Sequence, residues 1–263
     1  MSAESVLLVG RETRNAEDVL ATHADRIRER GLVDAVEVAT YEHEPVRELK
    51  SQFEAHDADR VYAVPMCAAH TYETTDGVPR ALSYLPGEVR YCEPVGTSPA
   101  VTDVIEARAG ERAAPASDVS LVLVAFGSSS KPHQRETAEY HAARLREHSD
   151  YGEVIPCYLL QNPAVECVRY NVSNDSAVAV PLFVTRSEAT EERVPDALEL
   201  DRGGMAYADP FGDHPRVTDA IAAAVERQRA LTTDDVAPAT TVDAHPSGPQ
   251  RPVATDGDGR SDD

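Results

Sequence analysis

The densest chemistry in this chain of 263 residues lies at 67–76, CAAHTYETTD, where His70, Tyr72, Glu73 and Asp76 crowd one segment beyond a short apolar run. Imidazole beside carboxylate suits a borderline divalent metal ion, and a carboxylate held against a substrate can accept its protons. His70 and Glu73 are therefore the candidate metal ligands and catalytic residues. A matching segment at 185–192, TRSEATEE, offers Glu188, Glu191 and Glu192 but no histidine. Acidic loops are ordinary in a chain with 46 Asp and Glu, so Glu191 and Glu192 read as solvated surface, and His70 admits an incidental reading beside the functional one. Two further loops follow apolar runs: Gly10 to Arg14, and Phe126-Gly127-Ser128-Ser129-Ser130. The serine loop fits neither a Walker motif nor a dinucleotide fingerprint, but its backbone N–H groups at a helix start, with Ser128, could hold substrate carboxylates. His133 follows closely enough to reach the same ligand.

These loops recur because the chain repeats itself. HADRIRE at 23–29 returns as HAARLRE at 141–147, and from each histidine a shared proline lies 22 residues on, at Pro45 and Pro163. Val64-Pro65 and Val180-Pro181 each reach a second Val-Pro 14 residues later, at Pro79 and Pro195. Pro99-Ala100-Val101-Thr102-Asp103 then answers Pro215-Arg216-Val217-Thr218-Asp219. A duplicated fold makes a pseudo-dimer in one chain, with the cleft between its copies as the natural ligand site. His23 and His141, at matched helical positions, point to packing or to an interface.

Short Val/Leu-rich runs at 5–10, 36–41, 60–66 and 89–93 alternate with helical patterns at 16–30, 45–55, 77–85 and 99–109. The second half repeats the order, with strands at 119–125, 154–160, 177–184 and 205–208 and helices at 134–148, 163–171, near Pro195 and at 215–228. Such alternation predicts an α/β fold of two tandem domains, each a parallel sheet flanked by helices and each burying its own core. Ligands on such sheets bind beyond the carboxyl ends of the strands, where the four loops fall. The expected division is a first domain at 1–110, a connector at 111–118, a second domain at 119–230 and a disordered acidic tail at 231–263.

A net charge of −21 argues against nucleic acid and acidic membranes as partners, since both are polyanions. Lys50 and Lys131 are the only lysines, and with no tryptophan and few aromatics the composition is that expected in a salt-rich cytoplasm, where screening relieves self-repulsion. Cys67, Cys92, Cys157 and Cys167 form no metal-finger spacing and read as free thiols. The lack of a leader or a long apolar run predicts a cytoplasmic protein.

The repeat, together with VYAVPM at 61–66, VPRAL at 78–82 and EPVG at 93–96, resembles the class II chelatases of tetrapyrrole biosynthesis, in particular the sirohydrochlorin cobaltochelatase (CbiX-like) family of the haloarchaeal kind. The resemblance covers roughly residues 4–228 and the arrangement is like that of the long, fused form. It implies insertion of a divalent metal, Co2+ above others, into sirohydrochlorin for cobalamin synthesis. The metal is then a substrate and no organic cofactor is expected. The partner is the tetrapyrrole itself, taken up by a monomer with pseudo-dimeric halves or by a homodimer. Arg11, Arg14 and Arg80 would clamp its carboxylates bidentately. The family's two metal-handling histidines fall here at Arg11 or Phe126 and at Glu73 or Ala189, so the usual pair is degenerate. That departure implies an alternative: a catalytically silent relative that binds tetrapyrrole or regulates an active chelatase.

Overall fold

The computed structural model describes residues 3–53 and 56–234. Its first half runs β1 (Glu4–Arg11), α1 (Ala16–Glu29), β2 (Ala35–Tyr41), α2 (Pro45–Gln52), β3 (Arg60–Pro65), α3 (Val78–Leu82), β4 (Glu88–Tyr91) and α4 (Ala100–Gly110). The second runs β5 (Val119–Ala125), α5 (His133–His148), β6 (Glu153–Tyr158), α6 (Val168–Asn171), β7 (Ser176–Pro181), α7 (Val194–Ala197), β8 (Met205–Tyr207) and α8 (Pro215–Asp234). Each half forms a four-stranded, wholly parallel sheet, ordered β2-β1-β3-β4 and β6-β5-β7-β8. Their central strands are buried on both faces, as apolar runs such as Val6-Leu7-Leu8-Val9 and Leu121-Val122-Leu123-Val124 demand. The expected α/β class, with two related parallel sheets, is what the chain adopts.

Besides a core of its own, each half contributes to a shared one. One apolar cluster runs through both, joining Leu8, Leu20, Val64 and Ile105 to Leu123, Leu145, Val180 and Ile221. The reason is an exchange of helices. α4, at the end of the first half, packs on β7 and α5 of the second, while α8 returns to pack on β3 and α1 of the first. α1, α4, α5 and α8 thus form a shared layer between the sheets, and the smaller outer cores are covered by α2 with α3 and by α6 with α7.

The matched histidines fasten this exchange. His23, fully buried on α1, places Nδ1 2.8 Å from Thr218 Oγ1 and Nε2 3.0 Å from the Gly212 carbonyl. His141 on α5 does the same to the first half, with Nδ1 2.9 Å from Thr102 Oγ1 and Nε2 2.8 Å from the Gly96 carbonyl. A carbonyl only accepts, so Nε2 carries the proton in each ring and Nδ1 accepts from the threonine. Burial holds both rings below the ordinary histidine pKa, His141 at about 4.

Local departures from the sequence reading have local causes. The helix expected at 163–171 is a 3-10 turn, Val165–Cys167, followed by the short α6. The helices near the second Val-Pro open as π turns, Glu73–Gly77 and Ala189–Arg193, with Val78 N–H reaching the Glu73 carbonyl and Val194 N–H that of Ala189. Pro79 and Pro195 lack the N–H that would continue a tighter pattern. The last helix continues through 231–234, residues expected in the tail, and the rest of that tail lies outside the described residues. Among the described residues no helix is long and apolar enough to cross a membrane.

Candidate active site

A cleft of about 1010 Å³ opens at the carboxyl ends of both sheets, lined by the loops after β1, β2 and β3 on one wall and after β5, β6 and β7 on the other. Strand register equates the walls. Val9 pairs with Pro65 as Val124 pairs with Pro181, so Arg11 stands where Phe126 stands in the second half. Counting on from the two prolines equates Cys67 with Phe183, His70 with Arg186, Tyr72 with Glu188, and Glu73 with Ala189. The last pair opens the two π turns.

His70 and Glu73 both line the cleft, but His70 does not turn to Glu73. Its Nε2 lies 3.3 Å from Glu93 Oε2, its Nδ1 3.2 Å from Thr74 Oγ1, and its ring centroid 5.7 Å from that of His133. Burial lowers its pKa, the Glu93 carboxylate opposes that shift, and His133 reinforces it, so the ring is neutral at pH 7. The second half explains this geometry: Arg186, the counterpart of His70, holds Asp209 at 2.8 Å, and Asp209 is the counterpart of Glu93. The His70–Glu93 contact is thus a titratable version of a fixed ion pair.

The Glu73 carboxylate acts on different neighbours. Burial and then Glu73 push the Cys67 thiol up to about 12, and the Tyr41 phenol is raised by burial, Cys67 and Glu73 in that order. Both thiol and phenol therefore stay protonated beside it. Among the described residues no set of three or more His, Cys, Asp or Glu is gathered to hold a metal ion. A metal held here would need donors from its substrate as well.

The arginines divide. Arg11 lines the cleft, its Nε donating to the Glu42 carbonyl at 3.2 Å. Arg14 also lines it but is committed across the halves, paired with Glu191 and with Glu192, the latter at 2.7 Å. Thr13 donates to Thr185 at 2.8 Å and the Asn15 carboxamide accepts Arg186 N–H at 2.7 Å, completing a strap along one edge. Arg80 is absent from the lining: the phase of α3 turns it to solvent, 3.4 Å from Asp76. Its expected clamp role therefore has no geometric support. Ser128 reaches the cleft, but its hydroxyl accepts N–H bonds from Ser130 and Lys131 at 3.3 and 3.2 Å and so shapes the loop. Gly127 is required before it, since φ is +78° and a Cβ would meet that of Tyr158 at 2.8 Å.

Sequence reasoning missed Lys131, Arg193 and the rings of Phe126 and Phe183, all of which line the cleft. The signal was available in the aligned repeat, where Arg193 replaces Gly77 directly before the second Val-Pro.

Comparison with known proteins agrees with this architecture. Residues 5–112 and 120–228 each match the CbiX family. A probable sirohydrochlorin cobaltochelatase of Halobacterium salinarum is 30% identical over 202 residues, 66% of this chain and 68% of that protein. SirB from Bacillus subtilis, solved with Fe3+, superposes with a TM-score of 0.71 at 21% identity, over 88% of this chain and 98% of its own. CbiX, the terminal enzyme for siroheme biosynthesis in denitrifying bacteria, gives 0.67 at 21% identity over 85% and 98%. A multi-domain Deinococcus radiodurans protein with structural similarity to chelatases gives 0.68 at 24% identity over 85% of this chain, which spans 55% of that longer protein. At these identities the solved structures speak to the fold alone. The matches to both halves carry the assignment further: this chain belongs to the CbiX family, with two copies of the family's domain in tandem.

Proposed function

We propose that this protein inserts a divalent metal ion into sirohydrochlorin, with Co2+ as the metal and cobalamin synthesis as the destination. One observation carries the reading: the two halves enclose a large cleft whose first wall bears Glu73 and a neutral His70 while cations stand around it. The substrate is a flat ring fringed by carboxylates. Arg11, Lys131 and Arg193 supply partners for that fringe, the arginines in bidentate form.

As the metal binds the ring nitrogens, two N–H protons must leave. Glu73 is the acceptor for one. His70, released from Glu93, ligates the incoming ion through neutral Nε2 and then yields it to the ring. The second proton leaves through His70 once it has given up the ion, and Glu93, outside the cleft lining, pairs with the resulting imidazolium. The Halobacterium relative supports cobalt as the metal. The work takes place in the cytoplasm, and one chain suffices because it already contains both walls.

The test is anaerobic metallation followed by absorbance. Glu73→Gln and His70→Ala should each lower the catalysed rate by about 100-fold or more while still shifting the tetrapyrrole spectrum. Wild-type rates in both variants would refute these roles. A second reading, binding without turnover, is favoured by the lack of a three-donor set among the described residues and by His70 being held by Glu93. It is the correct one if wild-type protein shifts the spectrum yet metallates no faster than free solution.

A further inference from the structure

The two walls of the cleft differ in kind at matched positions. The first presents Arg11, Cys67 and Glu73; the second presents Phe126, Phe183 and Ala189 in their places. Three groups of the first wall thus have apolar counterparts, while His70 and Tyr72 are answered by the charged Arg186 and Glu188. The two rings lie with centroids 6.4 Å apart in an edge-to-face arrangement, and the Arg193 guanidinium sits 5.5 Å from the Phe126 centroid. Neither phenylalanine is fully buried, and both reach the cleft.

We infer that Phe126, Phe183 and Arg193 form a platform for one face of a flat, carboxylate-bearing macrocycle, leaving its other face to Glu73. This rests on the function proposed above and adds to it the side from which the ring is held. A planar π-system gains from an aromatic edge or face and from exclusion of water on that side. Arg193, already over Phe126, offers its fork to a carboxylate at the ring's rim while keeping the cation–π contact. Arg14, tied to Glu191 and Glu192, is not free to do this. The small Ala189 leaves room where Glu73 projects on the opposite wall. The arrangement lets a metal ion approach the exposed face from the first half without displacing the ring.

The platform is tested by titrating the full chain with sirohydrochlorin in the absence of metal. Phe126→Leu and Phe183→Leu keep bulk but remove the ring, and melting curves confirm that each is folded. Each should raise Kd by about tenfold. Arg193→Gln should weaken binding of the free acid and leave that of its methyl ester unchanged. Failure of wild-type protein to shift the spectrum would overturn the functional reading, and this inference with it. Wild-type binding with unchanged Kd in both leucine variants would overturn the platform alone.

Discussion

At the scale of single residues, the buried histidines separate structure from chemistry. His141 is neutral, clamped between Thr102 and the Gly96 carbonyl, and its pKa falls from 6.5 to about 4. An unfolded chain takes up a proton below pH 6.5 that the folded chain refuses until about pH 4. Stability is therefore complete above pH 6.5 and declines as pH falls through that window, by about 3 kcal/mol for this residue. His23 adds to the decline in the same direction. Denaturant melts at pH 7, 5.5 and 4.5 measure it, and His141→Ala should cost about 2–4 kcal/mol at pH 7 by orphaning its two partners. His70→Arg gives the opposite separation. It should pair with Glu93 as Arg186 pairs with Asp209 and hold the melting temperature within about 3 °C. Metallation should nevertheless be lost, since guanidinium binds no metal. The interface role of His23 and His141 was legible because both sit at one helical position in each copy. The solvent-facing phase of Arg80 and the capture of Arg14 were not, because they depend on a turn geometry and on carboxylates about 177 residues away.

At the scale of elements, strands were easy to read and partnerships were not. Short, valine-rich runs such as Leu121-Val122-Leu123-Val124 favour strands buried on both faces, which is what they form. An amphipathic helix, by contrast, shows the same apolar stripe whichever sheet it covers, so the exchange of α4 and α8 left no mark in the pattern. The consequence is testable. In a fragment of residues 1–112, β3 loses the cover of α8 and α4 has no second sheet to lie on. It should associate into dimers that restore both contacts, or aggregate, and sedimentation should find no stable folded monomer. The π turns escaped notice for a similar reason. Val-Pro marks a helix start, but the widened turns that begin earlier, at Glu73 and Ala189, depend on a hydrogen bond that no residue type announces.

At the scale of the whole molecule, a net charge of −21 must be borne while a polyanionic substrate is admitted. Salt eases both burdens, since the Debye length shrinks from about 10 Å at 0.1 M to about 3 Å at 1 M. Raising KCl from 0.1 to 2 M should increase the melting temperature and should not slow tetrapyrrole uptake; a fall in melting temperature would contradict this account of the surface. The covalent link between the copies has one more effect. Identical subunits related by a two-fold axis must show every residue twice, so a phenylalanine gained on one side of their groove appears on the other and a glutamate is gained or lost in pairs. Joined end to end, the copies escape that obligation: each position can be chosen once, and a guest with two unlike sides can be met by two unlike hosts.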